Sequence, residues 1–161
     1  MNKTSVLFVC LGNICRSPLA EGVFRHLVKE AGIEDHFEID SCGTGDWHIG
    51  GLPDPGSLAV AKKHNIDMEG QRSRQIKAED LQDFDYIYAM DEKNLRDIKK
   101  IGSAKGKLHL FREFDIFKSK DLNVPDPYGL TGDAFGEVYD IVYRCSENIL
   151  EEISKDLDIE K

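Results

Sequence analysis

The chain has 161 residues, a formal net charge of −9 at pH 7, 40% hydrophobic residues and 32% charged residues. That length suits one domain spanning 1–161, and the acidic balance excludes a broad nucleic-acid-binding face, which would need clustered Lys and Arg. No apolar run approaches the ~18 residues of a membrane span and the N-terminus has no cleavage signal, so the expectation is a soluble, cytoplasmic protein without membrane attachment.

In chain order, Ser5 to Val9 is apolar on both faces and predicts a buried, central parallel strand. It ends in Cys10. A Gly12-Asn13 turn follows, then Arg16 and Ser17-Pro18. Leu19, Val23, Leu27 and Ala31 recur every four residues and predict an amphipathic helix. Ser17 is its expected N-cap, Pro18 its first helical residue and Gly32 its stop. Phe37 to Asp40 alternates and predicts a second strand. Ser41 to Gly56, rich in glycine around Trp47, predicts a long surface loop, and loops of that length are usually functional. Ser57 to His64 predicts a short helix stopped by Asn65 in the left-handed conformation. Ala78 to Phe84 predicts another short helical piece, and Tyr86 to Met90 a third strand. Asp91 is the expected cap of a helix to about Lys100. Lys107 to Phe111 predicts a fourth strand, Glu113 to Pro127 an irregular stretch, and Asp133 the start of a long helix through Ile153. Strands alternating with helices predict an α/β fold with parallel βαβ units and right-handed crossovers. The order of the strands is not legible from this pattern.

The four cysteines, Cys10, Cys15, Cys42 and Cys145, have neither a paired framework nor zinc spacing. Reduced thiols are expected, with no metal and no cofactor. Cys145 falls among Val138, Ile141, Val142 and Ile149 at helical spacing, as a small core residue would. Cys10 is different. A loop that leaves a buried strand and enters a helix turns successive N–H groups inward and makes a nest for an anion. Gly12 and Asn13 tolerate the positive φ such a turn needs. Arg16 can grip two anion oxygens with its planar fork. Thiols beside a guanidinium and a helix N-terminus ionise readily, so the same loop suits a nucleophile. An anion cradle around a thiolate fits displacement at phosphorus through a phosphocysteine.

The stretch Val9-Cys10-Leu11-Gly12-Asn13-Ile14-Cys15-Arg16-Ser17-Pro18 resembles the signature of the low-molecular-weight protein-tyrosine phosphatases. Asp40-Ser41, Asp46-Trp47, Arg74-Gln75-Ile76, Phe84-Asp85-Tyr86-Ile87, Ala89-Met90-Asp91-Glu92, Asn94-Leu95-Arg96 and Asp126-Pro127-Tyr128-Gly129 resemble family segments in the family's order. The resemblance implies a Rossmann-like three-layer sandwich: a four-stranded parallel sheet, order 2-1-3-4, with helices on both faces. That order puts the first strand at the topological switch point, where open α/β sheets bind ligands.

The resemblance also implies roles. Cys10 would be the nucleophile, Arg16 would hold the phosphoryl group, and Asp126 would act as general acid and then base. Leu11, Gly12, Asn13, Ile14, Cys15 and Ser17 would complete the phosphate-binding loop, with phosphate, sulfate or vanadate as its anions. Ser17 would hydrogen-bond the Cys10 thiolate. Asn13 and Ser41 would brace the loop. Trp47 and Tyr128 would wall the cleft, with His48 at its rim. Cys15 would protect Cys10 from oxidation by closing a disulfide. The implied partners are phosphotyrosine-containing proteins, met by a monomer or weak dimer.

Two departures stand out. Gly129 replaces the second tyrosine of many members, and Gln71 stands where a histidine is often found in the bracing network. Thioredoxin-linked arsenate reductases would need a further cysteine between Cys42 and Cys145, which this chain lacks. Protein-arginine phosphatases carry threonine where this loop has Ile14. Phosphocysteine phosphocarriers lack counterparts of Arg16 and Asp126.

Overall fold

Thr4–Cys10 (β1) is the strand on which the other elements are laid. In the computed structural model, which describes residues 2–117, 120–130 and 133–159, every residue from Val6 to Cys10 is buried. A strand apolar on both faces can only lie inside a sheet covered on both sides. On one edge β1 pairs in parallel with Phe37–Gly43 (β2), Val6 opposite Ile39 and Cys10 opposite Gly43. On the other it pairs in parallel with Tyr86–Ala89 (β3), Val6 opposite Tyr86. Lys107–Leu110 (β4) pairs outside β3. The order is therefore β2-β1-β3-β4, as the family resemblance implies.

Among the described residues five α-helices cover the sheet: Arg16–Glu30 (α1), Pro55–Lys63 (α2), the single turn Asp80–Asp83 (α3), Glu92–Ile101 (α4) and Ala134–Leu157 (α5). The period-2 alternation of β1 divides the core. Val6, Phe8 and Cys10 pack with Phe24 of α1 and with Val142, Cys145 and Ile149 of α5. Leu7 and Val9 pack on the opposite face with Leu81 and Ile98. No helix among the described residues is long and apolar enough to cross a membrane.

Several boundaries move, each for a local reason. Helix α1 begins at Arg16 with Cys15 at its cap position and no side-chain cap, so Ser17 is not the N-cap. Its hydroxyl lies 3.0 Å from Cys10 Sγ instead. Strand β2 runs on to Gly43 because Ser41, Cys42 and Gly43 are all buried, which erases the alternation. Helix α2 starts two residues early, at Pro55, with Asp54 accepting from Gly56 N at 2.8 Å; Asp before Pro is a start signal hidden in a Pro/Gly-rich stretch. Helix α5 continues past Ile153 to Leu157. Gly32 and Asn65 adopt the expected left-handed backbone, and Asp91 caps α4 by accepting from Asn94 N at 2.7 Å.

The irregular stretch after β4 hangs on one carboxylate. Buried Asp115 accepts from Arg144 of α5 (Nε 2.7 Å, a second nitrogen 3.0 Å), from Arg112 Nε (3.2 Å) and from Phe117 N (3.0 Å). Arg112 in turn donates to the Asn123 carbonyl at 2.7 Å, and Val124 N donates to the Met90 carbonyl at 2.8 Å. Burial works to raise the Asp115 carboxyl, but its bonds from Arg144, Phe117 N–H and Arg112 outweigh it and hold it below the usual range. A carboxyl lowered in the fold contributes stability above its ordinary titration range and loses it as pH falls through the folded-state range. Asp115→Asn should therefore cost about 2 kcal/mol near neutral pH, measured by urea unfolding, and the gap should shrink as the pH is taken into the acid range. A gap that stays constant would contradict the charge-based account.

Candidate active site

The loop from Leu11 to Cys15 is shaped from outside. The carbonyls of Cys10 and Leu11 accept from Thr44 N and Gly45 N, both at 2.9 Å. The Gly12 carbonyl accepts from Ser73 Oγ (3.1 Å), that of Ile14 from Asp54 N (2.7 Å) and that of Cys15 from Ser57 Oγ (3.2 Å). With these carbonyls turned outward, the peptide planes turn N–H groups toward Cys10. Those of Leu11, Gly12, Ile14, Cys15 and Arg16 donate to no other group among the described residues. This is the geometry of an anion nest at a helix N-terminus. Asn13 adopts φ 55°, the left-handed bend that closes the turn. Gly43 must be glycine, because a Cβ there would lie 2.7 Å from the Leu11 carbonyl oxygen.

A directed chain of hydrogen bonds reaches Cys10. Arg74 N can only donate, so the Asn13 oxygen must face it, at 3.0 Å. That fixes the Asn13 amide nitrogen as donor to Ser17 Oγ (2.8 Å) and Ser41 Oγ (3.0 Å). Ser41 then donates to Glu21 Oε1 at 2.7 Å, and Glu21 Oε2 accepts from Arg25 Nε at 3.0 Å. Ser17, already accepting from Asn13, has two acceptors within reach of its proton, Cys10 Sγ at 3.0 Å and the Cys42 carbonyl at 3.3 Å, and a thiolate at Cys10 can only accept. Asn13 N also donates to Cys10 Sγ, at 3.3 Å. Glu21 is 6% exposed. Burial raises its carboxyl, against the opposing Ser41 and Arg25 hydrogen bonds.

Arg16 is 3% exposed and held on two sides. One terminal nitrogen donates to Asp91 Oδ2 (2.7 Å) and the Val124 carbonyl (3.1 Å); the other lies 3.6 Å from Asp126 Oδ2. Burial opposes its charge, yet Cys10, the Asp91 hydrogen bond and Asp126 outweigh that and keep it above its ordinary value. Asp126 is half-exposed and forms a small turn, accepting from Tyr128 N at 3.1 Å. Leu130 N closes on the Pro127 carbonyl at 3.0 Å with Gly129 at φ +77°, so a side chain at 129 would sit in a strained conformation.

Cys10, Ile14, Cys15, Arg16, Trp47, His48, Asp126 and Tyr128 all line one cavity of about 370 Å³. Trp47 and Tyr128 stand exposed at its mouth, and His48 meets the Tyr128 ring edge-on at 6.0 Å. The Trp47 ring lies against Gly45, which has no Cβ to obstruct it. Burial, with Asp54 and Asp126 nearby, pushes the Cys15 thiol far up, which keeps it protonated.

Cys10, Leu11, Gly12, Ile14, Cys15, Arg16, Trp47, Asp126 and Tyr128 thus line this cavity, with Asn13, Ser17 and Ser41 behind it. Gln71 does not join the brace: its nitrogen donates to the Pro18 carbonyl at 3.0 Å and its buried oxygen has no partner among the described residues. Sequence reasoning missed Asp91 as a partner of Arg16, and Glu21, Arg25, Ser73 and Arg74 as members of the brace. Asp91 could have been found. It follows β3 as Cys10 closes β1, and adjacent parallel strands deliver their C-terminal residues to the same edge.

Asn13→Gly keeps the left-handed backbone and removes three hydrogen bonds. It should weaken inorganic phosphate binding about tenfold, or about 1.4 kcal/mol, by titration calorimetry. Unchanged affinity would show that the Asn13 side chain does not hold the loop in its anion-binding form.

Comparison with known proteins gives one answer. The family model described as "Low molecular weight phosphotyrosine protein phosphatase" matches residues 5–159. The low molecular weight protein-tyrosine-phosphatase YfkJ of Bacillus subtilis is 43% identical over 153 residues, 94% of this chain and 97% of the relative. Its crystal structure superposes with a TM-score of 0.89 at 37% identity over 97% of this chain and 98% of that one. A protein tyrosine phosphatase from Entamoeba histolytica, solved with Hepes in its active site, has a TM-score of 0.89 at 32% identity, covering 96% of this chain and 99% of its own. DARP, a drosophila arginine phosphatase, has a TM-score of 0.85 at 33% identity, covering 92% and 96%. With the order β2-β1-β3-β4 and the Cys10–Ser17 loop at its switch point, the chain belongs to the low molecular weight phosphotyrosine protein phosphatase family and is an enzyme of that class.

Proposed function

We propose that the protein hydrolyses phosphotyrosine in proteins, and small aryl phosphates, through a phosphocysteine on Cys10. The observation that carries this reading is the convergence of Cys10, Arg16 and Asp126 on one cavity walled by Trp47 and Tyr128. The Cys10 thiolate attacks phosphorus while the bond to the tyrosyl oxygen breaks in line. Asp126 gives its proton to that oxygen, so tyrosine leaves neutral. The Arg16 guanidinium and the free N–H groups of the loop hold the equatorial oxygens, where charge is spread in the transition state. In the second step Asp126, now a carboxylate, takes a proton from water as the water oxygen attacks phosphorus. The S–P bond breaks and phosphate leaves. Ser17 Oγ, which accepts from the Asn13 amide and lies 3.0 Å from Sγ, donates its proton to the departing thiolate and stabilises it. Positive charge comes from Arg16 and the backbone, so the mechanism calls for no metal. Asp91 positions Arg16 and touches no reacting atom.

The aromatic walls favour an aryl substrate by stacking, and Ile14 presents an apolar surface to the cavity. The match to residues 5–159 supports reading 1–161 as one catalytic domain. A second reading, hydrolysis of phosphoarginine, is supported by the likeness to the drosophila arginine phosphatase. Phosphotyrosine and phosphoarginine peptides assayed side by side separate the two.

Asp126→Ala should slow turnover of aryl phosphates with poor leaving groups by about 10²–10⁴-fold. Activated phenols, which leave without protonation, should lose far less. Equal losses across a series of substituted phenyl phosphates would contradict the acid role.

A further inference from the structure

A second concavity opens beside the catalytic cavity, with a volume of about 530 Å³. Trp47 and Tyr128 wall both. Its far side is made by Ile49, Leu52, Pro53 and Leu58. Ile49 is 61% exposed and Leu52 55% exposed, on a chain whose other apolar side chains are mostly buried. These two have not simply failed to pack. Their backbone is pinned: Gly50 N donates to the Ser73 carbonyl (2.8 Å), Ser73 N to that of Gly51 (2.9 Å), and Asp54 N to that of Ile14 (2.7 Å). The loop that shapes the anion nest therefore also holds Ile49 and Leu52 out in water. Exposed apolar surface held in place beside a cleft marks a binding surface.

We propose that this groove is a specificity subsite that takes an apolar side chain flanking the phosphotyrosine in the same substrate polypeptide. The inference rests on the phosphatase reading above and deepens it. Two observations fix the occupant. The first is continuity: a chain with its phosphotyrosine between Trp47 and Tyr128 must cross one of these walls, and an extended chain advances only about 3.3 Å per residue, so a residue next to the phosphotyrosine meets the groove. The second is charge. The carboxylate lining the groove is Asp54, engaged by Gly56 N as the cap of α2. His48 also lines it, its ring edge-on to Tyr128, and no lysine or arginine does. An acidic neighbour would lose hydration there against the Asp54 carboxylate with no permanent cation to meet it, whereas leucine or phenylalanine would be covered by Ile49 and Leu52.

The test uses phosphotyrosine peptides with leucine or aspartate on each side of the phosphotyrosine, and p-nitrophenyl phosphate, which cannot reach the groove. The leucine peptides should have about tenfold higher kcat/KM than the aspartate peptides. Leu52→Asp, and independently Ile49→Ser, should erase that preference and leave p-nitrophenyl phosphate turnover unchanged, which also reports that each variant is folded. A wild-type enzyme indifferent to the neighbours would overturn the groove alone. So would a Leu52→Asp variant whose only change is loss of concentration-dependent self-association, since the groove would then be a contact between copies. Absence of turnover of p-nitrophenyl phosphate and of every phosphotyrosine peptide would overturn the phosphatase reading, and the subsite with it.

Discussion

The outward anchoring of five carbonyls between Cys10 and Cys15 is the constraint on which this site depends. A peptide plane has two ends, and fixing the carbonyl end aims the N–H end. Thr44, Gly45, Asp54, Ser57 and Ser73 supply the anchors from three separated segments. None of them touches the cavity floor, yet together they set where an anion can sit. The same segments carry the aromatic wall Trp47 and the start of α2. Binding geometry and wall position are thus one structural problem with one solution. The cost of aiming several N–H groups at one point is met at folding, so in the mechanism we propose no reorganisation is needed when charge develops on an equatorial oxygen.

Behind the loop, one asparagine converts a backbone contact into a directed proton. The Arg74 N–H has no choice of role, so Asn13 has none, and its amide nitrogen donates to both Ser17 and Ser41. The line ends at Cys10 on one side and at the buried Glu21–Arg25 pair on the other. In front of the loop, Arg16 lies between Asp91, fixed by its cap to α4, and Asp126 on the irregular stretch. That stretch is tied in turn through Asn123, Arg112 and Asp115 to α5. The catalytic acid we propose is therefore mounted on a surface turn whose leading end is fixed to the core at Val124.

Local physics made much of this legible. The two-faced apolar run before Cys10 required a buried parallel strand, and the Gly12-Asn13 turn before a four-residue apolar period required a loop entering a helix. The β1–β3 pairing that sets the strand order and the meeting of Arg16 with Asp126 were beyond periodicity, because both join chain segments more than 70 residues apart; the strand order and the role of Asp126 came from motif resemblance. Ser17 misled because Ser before Pro is a strong cap signal. A side-chain cap would have covered the amides that this helix presents to an anion, and the hydroxyl serves Cys10 instead. Glu21 was not legible because a glutamate between apolar positions has the pattern of a solvent-facing residue, while the first half of α1 is buried on every side. The partners of Glu21 lie on β2 and on α1 itself, and no helical pattern announces them.

The central claim is that phosphoryl transfer passes through Cys10 and not directly to water. Rapid acid quench of the enzyme mixed with p-nitrophenyl phosphate, followed by mass measurement of the peptide that carries Cys10, tests it most directly. The account predicts one phosphoryl group on that cysteine in the first turnover, appearing with the burst of p-nitrophenol and absent from Cys10→Ser. A full burst with the peptide unmodified, or the phosphoryl group on any other residue, would contradict it.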